Sequence, residues 1–139
     1  MSANLRTRAA LAAGIMLGGM TMLSPGVALS QSANPNNITG RWNAVANNST
    51  GSLNITQSAN GSISGNFLGI PLQGYYIPSS RRLVFVRFAN GIPIQFYSGW
   101  ISNNGLGLGG QFNVWNLPNG AAGGVDYNFS ATKVSDFPN

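Results

Sequence analysis

The stretch of sequence that decides the fold reads LVFVRFANGIPIQFYSGWIS and covers positions 83–102. It contains two runs rich in β-branched and aromatic residues, separated by the pair Asn90 and Gly91. Asn-Gly favours the positive φ angles of a tight hairpin turn, so the two runs predict antiparallel neighbouring strands. From Thr39 onward the chain repeats this pattern of short apolar runs between Gly, Asn and Pro.

Working outward from this hairpin, the pattern predicts eight strands. They are Gly40 to Ala46, Ser52 to Gln57, Ser62 to Leu68, Leu72 to Ile77, Leu83 to Ala89, Ile92 to Ser102, Leu106 to Asn116 and Val125 to Val134. Short loops without a long crossover predict an all-β fold, an eight-stranded antiparallel up-and-down (meander) β-barrel. The alternative is a two-sheet sandwich, which normally needs longer Greek-key connections.

The first thirty residues have the pattern of an export signal. Two arginines precede an apolar run over residues 9–23, and small residues follow at Ala28 and Ser30. These are the three parts of a secretory signal peptide, and the run is shorter than the roughly 20 residues that span a bilayer. We therefore expect cleavage after Ser30, one barrel domain over residues 31–139, a secreted or periplasmic location, and no membrane partner after cleavage.

The composition argues against catalysis. The chain has seven Lys or Arg, no His and no Cys, and its two acidic residues are Asp126 and Asp136. General acid–base catalysis usually needs a His or a pair of carboxylates, and a Ser nucleophile would have no imidazole to activate it. Zinc sites built from His and Cys are excluded as well. We expect no enzymatic activity, no metal site and no cofactor.

Short motifs along the predicted strands follow the order found in avidin and streptavidin. They are ITGRW at 38–42, GSLNIT at 51–56, GSISGNF at 61–67, PLQG at 71–74, VRF at 86–88, YSG at 97–99, VWNL at 114–117 and TKV at 132–134. The chain resembles this family over nearly all of residues 31–139. The resemblance implies an avidin-like, calycin-type barrel, with biotin as the family's ligand.

Carried over residue by residue, the resemblance implies an altered biotin pocket. The family has an Asn two residues after its first-strand Trp, where this chain has Ala44, and a pocket Tyr where it has Phe67. The family's fifth-strand Trp, sixth-strand hydroxyl residue, seventh-strand Trp and eighth-strand acid correspond to Phe88, Gln95, Trp115 and Asp126. Missing partners leave polar groups of a bound ligand buried and unpaired, so weakened biotin binding is expected.

Strand alternation predicts a cavity lined by aromatic rings and amides if Trp42 faces the interior. The predicted lining is Ala44, Ala46, Ile63, Phe67, Val86, Phe88, Gln95, Tyr97, Asn113 and Trp115. The candidate ligand-binding residues are Asn48, Phe67, Phe88, Gln95, Tyr97, Asn113, Trp115 and Asp126. Such a lining predicts a small, neutral, partly apolar ligand. The alternative is that the rings simply fill a narrow barrel.

Strands five to seven are apolar on both faces. The apolar residues expected to point outward are Leu83, Phe85, Ile94, Phe96, Trp100, Phe112 and Val114. Sheets that are hydrophobic on both sides are usually covered on both sides, so we expect a homo-oligomer packed through this wall. A register slip of one residue would exchange the two faces. Arg81, Arg82 and Arg87 are too few for a nucleic-acid surface, and no nucleic-acid partner is expected.

Together these patterns predict an exported barrel that binds a small molecule in its cup without chemistry. The alternative is a surface-binding module, such as a secreted protease inhibitor, that engages a protein or a glycan. An open cup lined by Gln95, Asn113 and Trp115 would favour the first function. A filled interior would favour the second.

Overall fold

The computed structural model describes residues 34–115 and 124–138, which form a closed barrel of eight antiparallel strands. The strands are β1 (Gly40–Ala46), β2 (Ser49–Gln57), β3 (Ser62–Phe67), β4 (Ile70–Ile77), β5 (Arg82–Ala89), β6 (Ile92–Ile101), β7 (Gly107–Val114) and β8 (Asp126–Ser135). Each strand pairs with the next along the chain, and β8 pairs with β1. The predicted meander barrel is confirmed, and the sandwich does not form.

The structure describes only the part of the chain that follows the predicted export signal. The predicted signal segment, residues 1–30, lies outside the described residues. Within residues 34–115 and 124–138, no helix is long and apolar enough to cross a membrane.

The turns follow the chemistry of their residues, except at Leu68 and Arg81, which both have positive φ angles. Asn90 and Gly91 both have positive φ angles, 52° and 76°, as expected for an Asn-Gly hairpin. The turn from β3 to β4 uses Leu68 at φ 51°, a conformation that is rare for a bulky residue. Leu68 packs against the core, and Gly51 leaves it room, because a Cβ on Gly51 would lie 2.3 Å from Leu68 Cδ2.

A stack of aromatic rings fills the middle of the barrel. Phe85, Tyr97 and Phe112 come from three neighbouring strands, and successive ring centroids lie 4.5 Å and 4.7 Å apart in nearly parallel planes. Phe67 and Phe129 pack edge-on against Tyr97, at 5.3 Å and 5.1 Å. The middle of the barrel is therefore a packed core, as the alternative of a filled interior predicts.

The segment before β1 closes one end of the barrel. Trp42 is fully buried, and its Nε1 donates a hydrogen bond to the carbonyl oxygen of Ile38 at 3.2 Å. The backbone nitrogen of Ile38 donates to Oε1 of Gln57 at 2.9 Å. The ammonium group of Lys133 lies 5.8 Å from the Trp42 ring centroid and 2.7 Å from Oδ1 of Asp136. We call this the closed end, and the opposite end, where β1, β3, β5 and β7 finish, the mouth.

The side chains of β5 face opposite to the prediction. Leu83 and Phe85 point into the barrel, whereas Val86 and Phe88 lie on the outer wall. The physical reason is a β-bulge: Phe88 pairs with Pro93, but Arg87 pairs with Gln95, so Ile94 is an extra residue in β6. Proline cannot donate to the ladder and is often found at such bulges. The extra residue exchanges the two faces of β5 and turns Arg87 inward.

A second displacement of one residue exchanges the faces of β7. Phe112 and Val114 point inward, whereas Asn113 and Trp115 lie on the outer wall. The backbone nitrogen of Ser102 donates to the carbonyl oxygen of Gly107 at 2.8 Å, so the loop includes Leu106 beyond the predicted Asn-Asn-Gly turn. Side chains alternate between the two faces of a strand, so one additional loop residue turns every side chain of β7 to the face opposite to the predicted one. The outward positions of Ile94, Phe96 and Trp100 in β6 are as predicted.

Candidate functional site

Three polar side chains meet at the mouth, and we call Arg87, Gln95 and Tyr97 the mouth cluster. Arg87 and Gln95 are direct neighbours across β5 and β6, and Tyr97 lies two residues further along β6 on the same face. Nη1 of Arg87 donates to Oε1 of Gln95, and it lies 3.4 Å from the hydroxyl oxygen of Tyr97. The Tyr97 hydroxyl donates to the same Gln95 oxygen at 2.9 Å. The three side chains therefore hold one another in place.

Arg87 is the unusual member of the mouth cluster, because only 5% of it is exposed. Its guanidinium carbon lies 5.2 Å from the ring centroid of Phe67, a cation–π distance, and its Nε has no hydrogen-bond partner among the described residues. The two acidic side chains of the protein lie elsewhere. Asp126 is exposed, and Asp136 pairs with Lys133 at the closed end. Arg87 is thus a buried cation without a carboxylate partner among residues 34–115 and 124–138.

The Tyr97 hydroxyl is held in its neutral form. Burial raises the pKa of Tyr97 above the ordinary value of 10.0, while the positive charge of Arg87 and its hydrogen bond act in the opposite direction. The phenol is therefore protonated at neutral pH and can donate to Gln95. The mouth cluster as a whole carries the single positive charge of Arg87.

A cavity of about 250 Å³ opens beside the mouth cluster. All three cluster residues line it, together with apolar side chains that include Leu68 and Phe112. This volume lies just below the roughly 300–1,000 Å³ of pockets for drug-sized ligands. The cavity has room for a small ligand with a polar group at Arg87 and an apolar body against the neighbouring rings.

Wider hollows lie on the outer surface of the barrel. One of about 700 Å³ lies beside Phe88 and Gln73, and another of about 610 Å³ lies over Thr50 and Thr132. Neither lining, as described, contains a charged side chain. The mouth cavity is smaller, but it alone among these three combines a buried cation with hydrogen-bonding groups, and we take it as the candidate site.

Four predicted site residues belong to the mouth end of the barrel. Gln95 and Tyr97 line the mouth cavity, and Phe67 packs beneath the guanidinium of Arg87. Asn48 is exposed in the turn between β1 and β2 and lies outside the cavity lining. The structure therefore brings three of these side chains together around Arg87 and leaves Asn48 at the edge.

The other four predicted site residues, Phe88, Asn113, Trp115 and Asp126, lie on the outer wall. Trp115 is 45% exposed, and its ring stacks on Phe96 with centroids 5.7 Å apart. Asn113 and Asp126 are neighbours across β7 and β8 and share an outer hollow of about 120 Å³. The predicted placement of these four residues inside the cup is wrong. Across the two described ranges, no three His, Cys, Asp or Glu side chains group so that they could hold a metal ion.

Arg87 is the site residue that sequence reasoning missed, because a simple hairpin register turns it toward solvent. The available signal was Pro93, since a proline early in a strand is compatible with a bulge that exchanges the faces of the partner strand. Gln95 and Tyr97 were found because their own strand kept the predicted alternation.

Comparison with known proteins yields no match: no family model, no curated protein and no solved structure matches the chain. The closed barrel of eight antiparallel strands is compatible with the avidin-like and broader calycin architecture.

Proposed function

We propose that this chain is an exported, non-catalytic protein that binds a small molecule in the mouth of its barrel. The observation that carries the proposal is the mouth cluster, in which buried Arg87 stands beside an open cavity. A few convergent polar groups at the edge of an apolar wall are typical of ligand sites. The interior of some eight-stranded barrels is wide enough to hold one small ligand.

The absence of catalysis in this proposal follows from the chemistry of the mouth cluster. Its titratable groups are Arg87 and Tyr97. Arginine remains protonated at all ordinary pH values, and burial keeps the proton on Tyr97. Neither group can accept a proton as a general base at neutral pH. The cluster is suited to binding and orienting a ligand.

An avidin-like relationship remains part of the proposal at the level of architecture. Two interior positions that correspond to polar pocket residues of the avidin family are Ala44 and Phe67, and both are buried here. Neither side chain can hydrogen-bond to biotin. We therefore expect biotin to bind far more weakly than it binds to the family.

Equilibrium titration of the purified protein with biotin and a panel of small ligands tests the proposed function. Calorimetry should show saturable binding of at least one ligand at micromolar concentration. Ser49→Trp, which places a large ring at the cavity lining, should weaken binding, whereas Asn48→Trp at the exposed neighbouring position should not. Failure of every ligand in the panel to saturate the protein would contradict the proposal.

The alternative function, a module that binds a protein or a glycan, is supported by aromatic side chains on the outer wall. Trp100 is 53% exposed and lies 5.2 Å from the guanidinium of Arg82, and Tyr75 is 59% exposed. Exposed aromatic rings are frequent in binding surfaces. Loss of partner binding in Trp100→Ser, with small-molecule binding intact, would favour this alternative.

A further inference from the structure

We propose that the ligand of the mouth carries a carboxylate group and that Arg87 is the residue that binds it. This inference rests on the proposed function, because it names the ligand class of the same site. Two features of the described residues support it, the uncompensated charge of Arg87 and the way its guanidinium is held.

The first feature is charge. Removing a guanidinium from water is costly unless an opposite charge or a full set of hydrogen bonds replaces the lost solvation. Arg87 is 95% buried by residue area. Asp126 lies at the mouth end of β8 but is exposed on the outer wall, and Asp136 pairs with Lys133 at the closed end. A ligand carboxylate in the cavity would supply the missing counter-charge. In these partly desolvated surroundings, the attraction between the two charges is stronger than it is in water.

The second feature is the geometry around Arg87. The Phe67 ring supports the guanidinium, and Gln95 accepts a hydrogen bond from Nη1, so the group is oriented before any ligand arrives. Nε is buried and has no partner among the described residues, so the guanidinium has donor capacity that these residues do not use. The planar fork of arginine matches the two oxygens of a carboxylate.

The volume of the cavity limits the size of the group that is attached to the carboxylate. A volume of about 250 Å³, bordered by Leu68, Phe112 and Val114, accommodates a short aryl or alkyl body attached to the carboxylate. The neutral ligand expected from the sequence rested on a predicted lining of aromatic rings and amides that included Phe88 and no charged side chain. With the bulge at Ile94, β5 presents Arg87 to the cavity in place of Phe88, and an anionic ligand becomes the better match.

Matched acids and amides test the inference. Phenylacetate and hexanoate are titrated by calorimetry against phenylacetamide and hexanamide, which have the same shape without the charge. We expect each acid to bind about 10- to 100-fold more tightly than its amide. Arg87→Met should remove this preference. Arg82→Met is the matched control, because Arg82 lies on the outer wall, where it bonds to Oγ of Ser98 at 3.1 Å, and it should keep the preference.

A second variant keeps the inference testable if Arg87→Met fails to fold. Gln95→Glu preserves shape and places an internal carboxylate against Nη1 of Arg87, which supplies the counter-charge from within the protein. We expect this variant to fold, and we expect its ratio of acid affinity to amide affinity to fall by about tenfold or more relative to the unmodified protein.

The outcomes separate the inference from the proposed function. Equal binding of acids and amides by the unmodified protein overturns the carboxylate and leaves small-molecule binding in place. A preference for acids that survives in both Arg87→Met and Gln95→Glu also overturns the role of Arg87. If no acid, no amide and no member of the ligand panel binds, both proposals fail.

Discussion

Among single residues, Arg87 has the strongest effect on the chemistry of the mouth. It is a buried cation whose partners are a neutral amide, a neutral phenol and an aromatic ring. Leu68, at the same end of the barrel, has a positive φ angle that is unfavourable for its side chain. Conformational strain and unpaired charge both lower stability, and they are concentrated at binding sites in many proteins. The buried charge of Arg87 therefore supports the mouth as the functional end, whereas positive φ angles occur at both ends, at Leu68 and at Arg81.

Replacing Arg87 by Met should stabilise the ligand-free protein. The change removes the cost of burying an unpaired charge, and Oε1 of Gln95 still accepts a hydrogen bond from Tyr97. Urea denaturation at neutral pH should show a free energy of unfolding raised by about 1 kcal/mol or more. The exposed control Arg82→Met should change it by no more than about 0.5 kcal/mol. A clear loss of stability in Arg87→Met would mean that Arg87 is a structural support.

Tyr97 should make stability depend on pH in the alkaline range. Burial raises its pKa in the folded state above the unfolded value of 10.0, so above that pH the folded protein binds more protons than the unfolded chain. The free energy of unfolding should therefore fall as pH rises past about 10. Tyr97→Phe should make this fall shallower, while the share of Tyr76, whose pKa is also raised by burial, remains. The free energy of unfolding is measured by urea denaturation at several pH values around and above 10. An equally steep fall with pH in the unmodified protein and in Tyr97→Phe would contradict the prediction.

At the level of strands, the sequence predicts the number and order of elements but not which face each strand presents. Turn residues such as Asn90 and Gly91 mark where strands end, because their backbone preferences are local. The faces of β5 and β7 depend on one extra residue each, Ile94 in a bulge and Leu106 in a loop. Those insertions arise from packing and hydrogen bonding around the closed barrel. Strand alternation therefore located Gln95 and Tyr97 but misplaced Phe88, Asn113 and Trp115.

Two adjacent glycines of β7 should differ sharply in their tolerance of a methyl group. A Cβ on Gly110 would lie 2.1 Å from the carbonyl oxygen of Ser98 and 2.5 Å from Cα of Gly99, whereas the nearest atom to a Cβ on Gly109 is 4.0 Å away. We expect Gly110→Ala to lower the free energy of unfolding by about 1–3 kcal/mol, because β6 and β7 must move apart. Gly109→Ala should leave it within about 0.5 kcal/mol. Similar urea midpoints for the two variants would contradict this packing.

At the level of the whole molecule, the barrel has two different ends and an apolar outer wall. The closed end is sealed around Trp42, the aromatic stack fills the middle, and the cavity remains at the mouth. Closing the sheet removes exposed strand edges, which suits a protein without cysteines for disulfides. The outer wall still exposes large side chains, among them Trp100 and Trp115.

A homo-oligomer remains a prediction from the sequence, now with a different set of wall residues. Phe96, Trp100 and Trp115 lie on the outer wall, whereas Phe85 and Phe112, also expected there, point inward. Burial of these outer rings between copies would remove apolar surface from water. Light scattering coupled to size-exclusion chromatography should give a molecular mass at least twice that of a single chain. A single-chain mass at high protein concentration would contradict the prediction.

The most direct measurement of ligand binding at the mouth is an NMR titration of the ¹⁵N-labelled protein with phenylacetate. The side-chain Nε–Hε signal of Arg87 and the amide signals of Gln95 report on the mouth, and the indole signals of Trp100 and Trp115 report on the outer wall. Binding at the mouth predicts saturable shifts of the Arg87 and Gln95 signals, with the two indole signals unchanged. Saturable shifts confined to the indole signals, or no saturable shift at any signal, would contradict it.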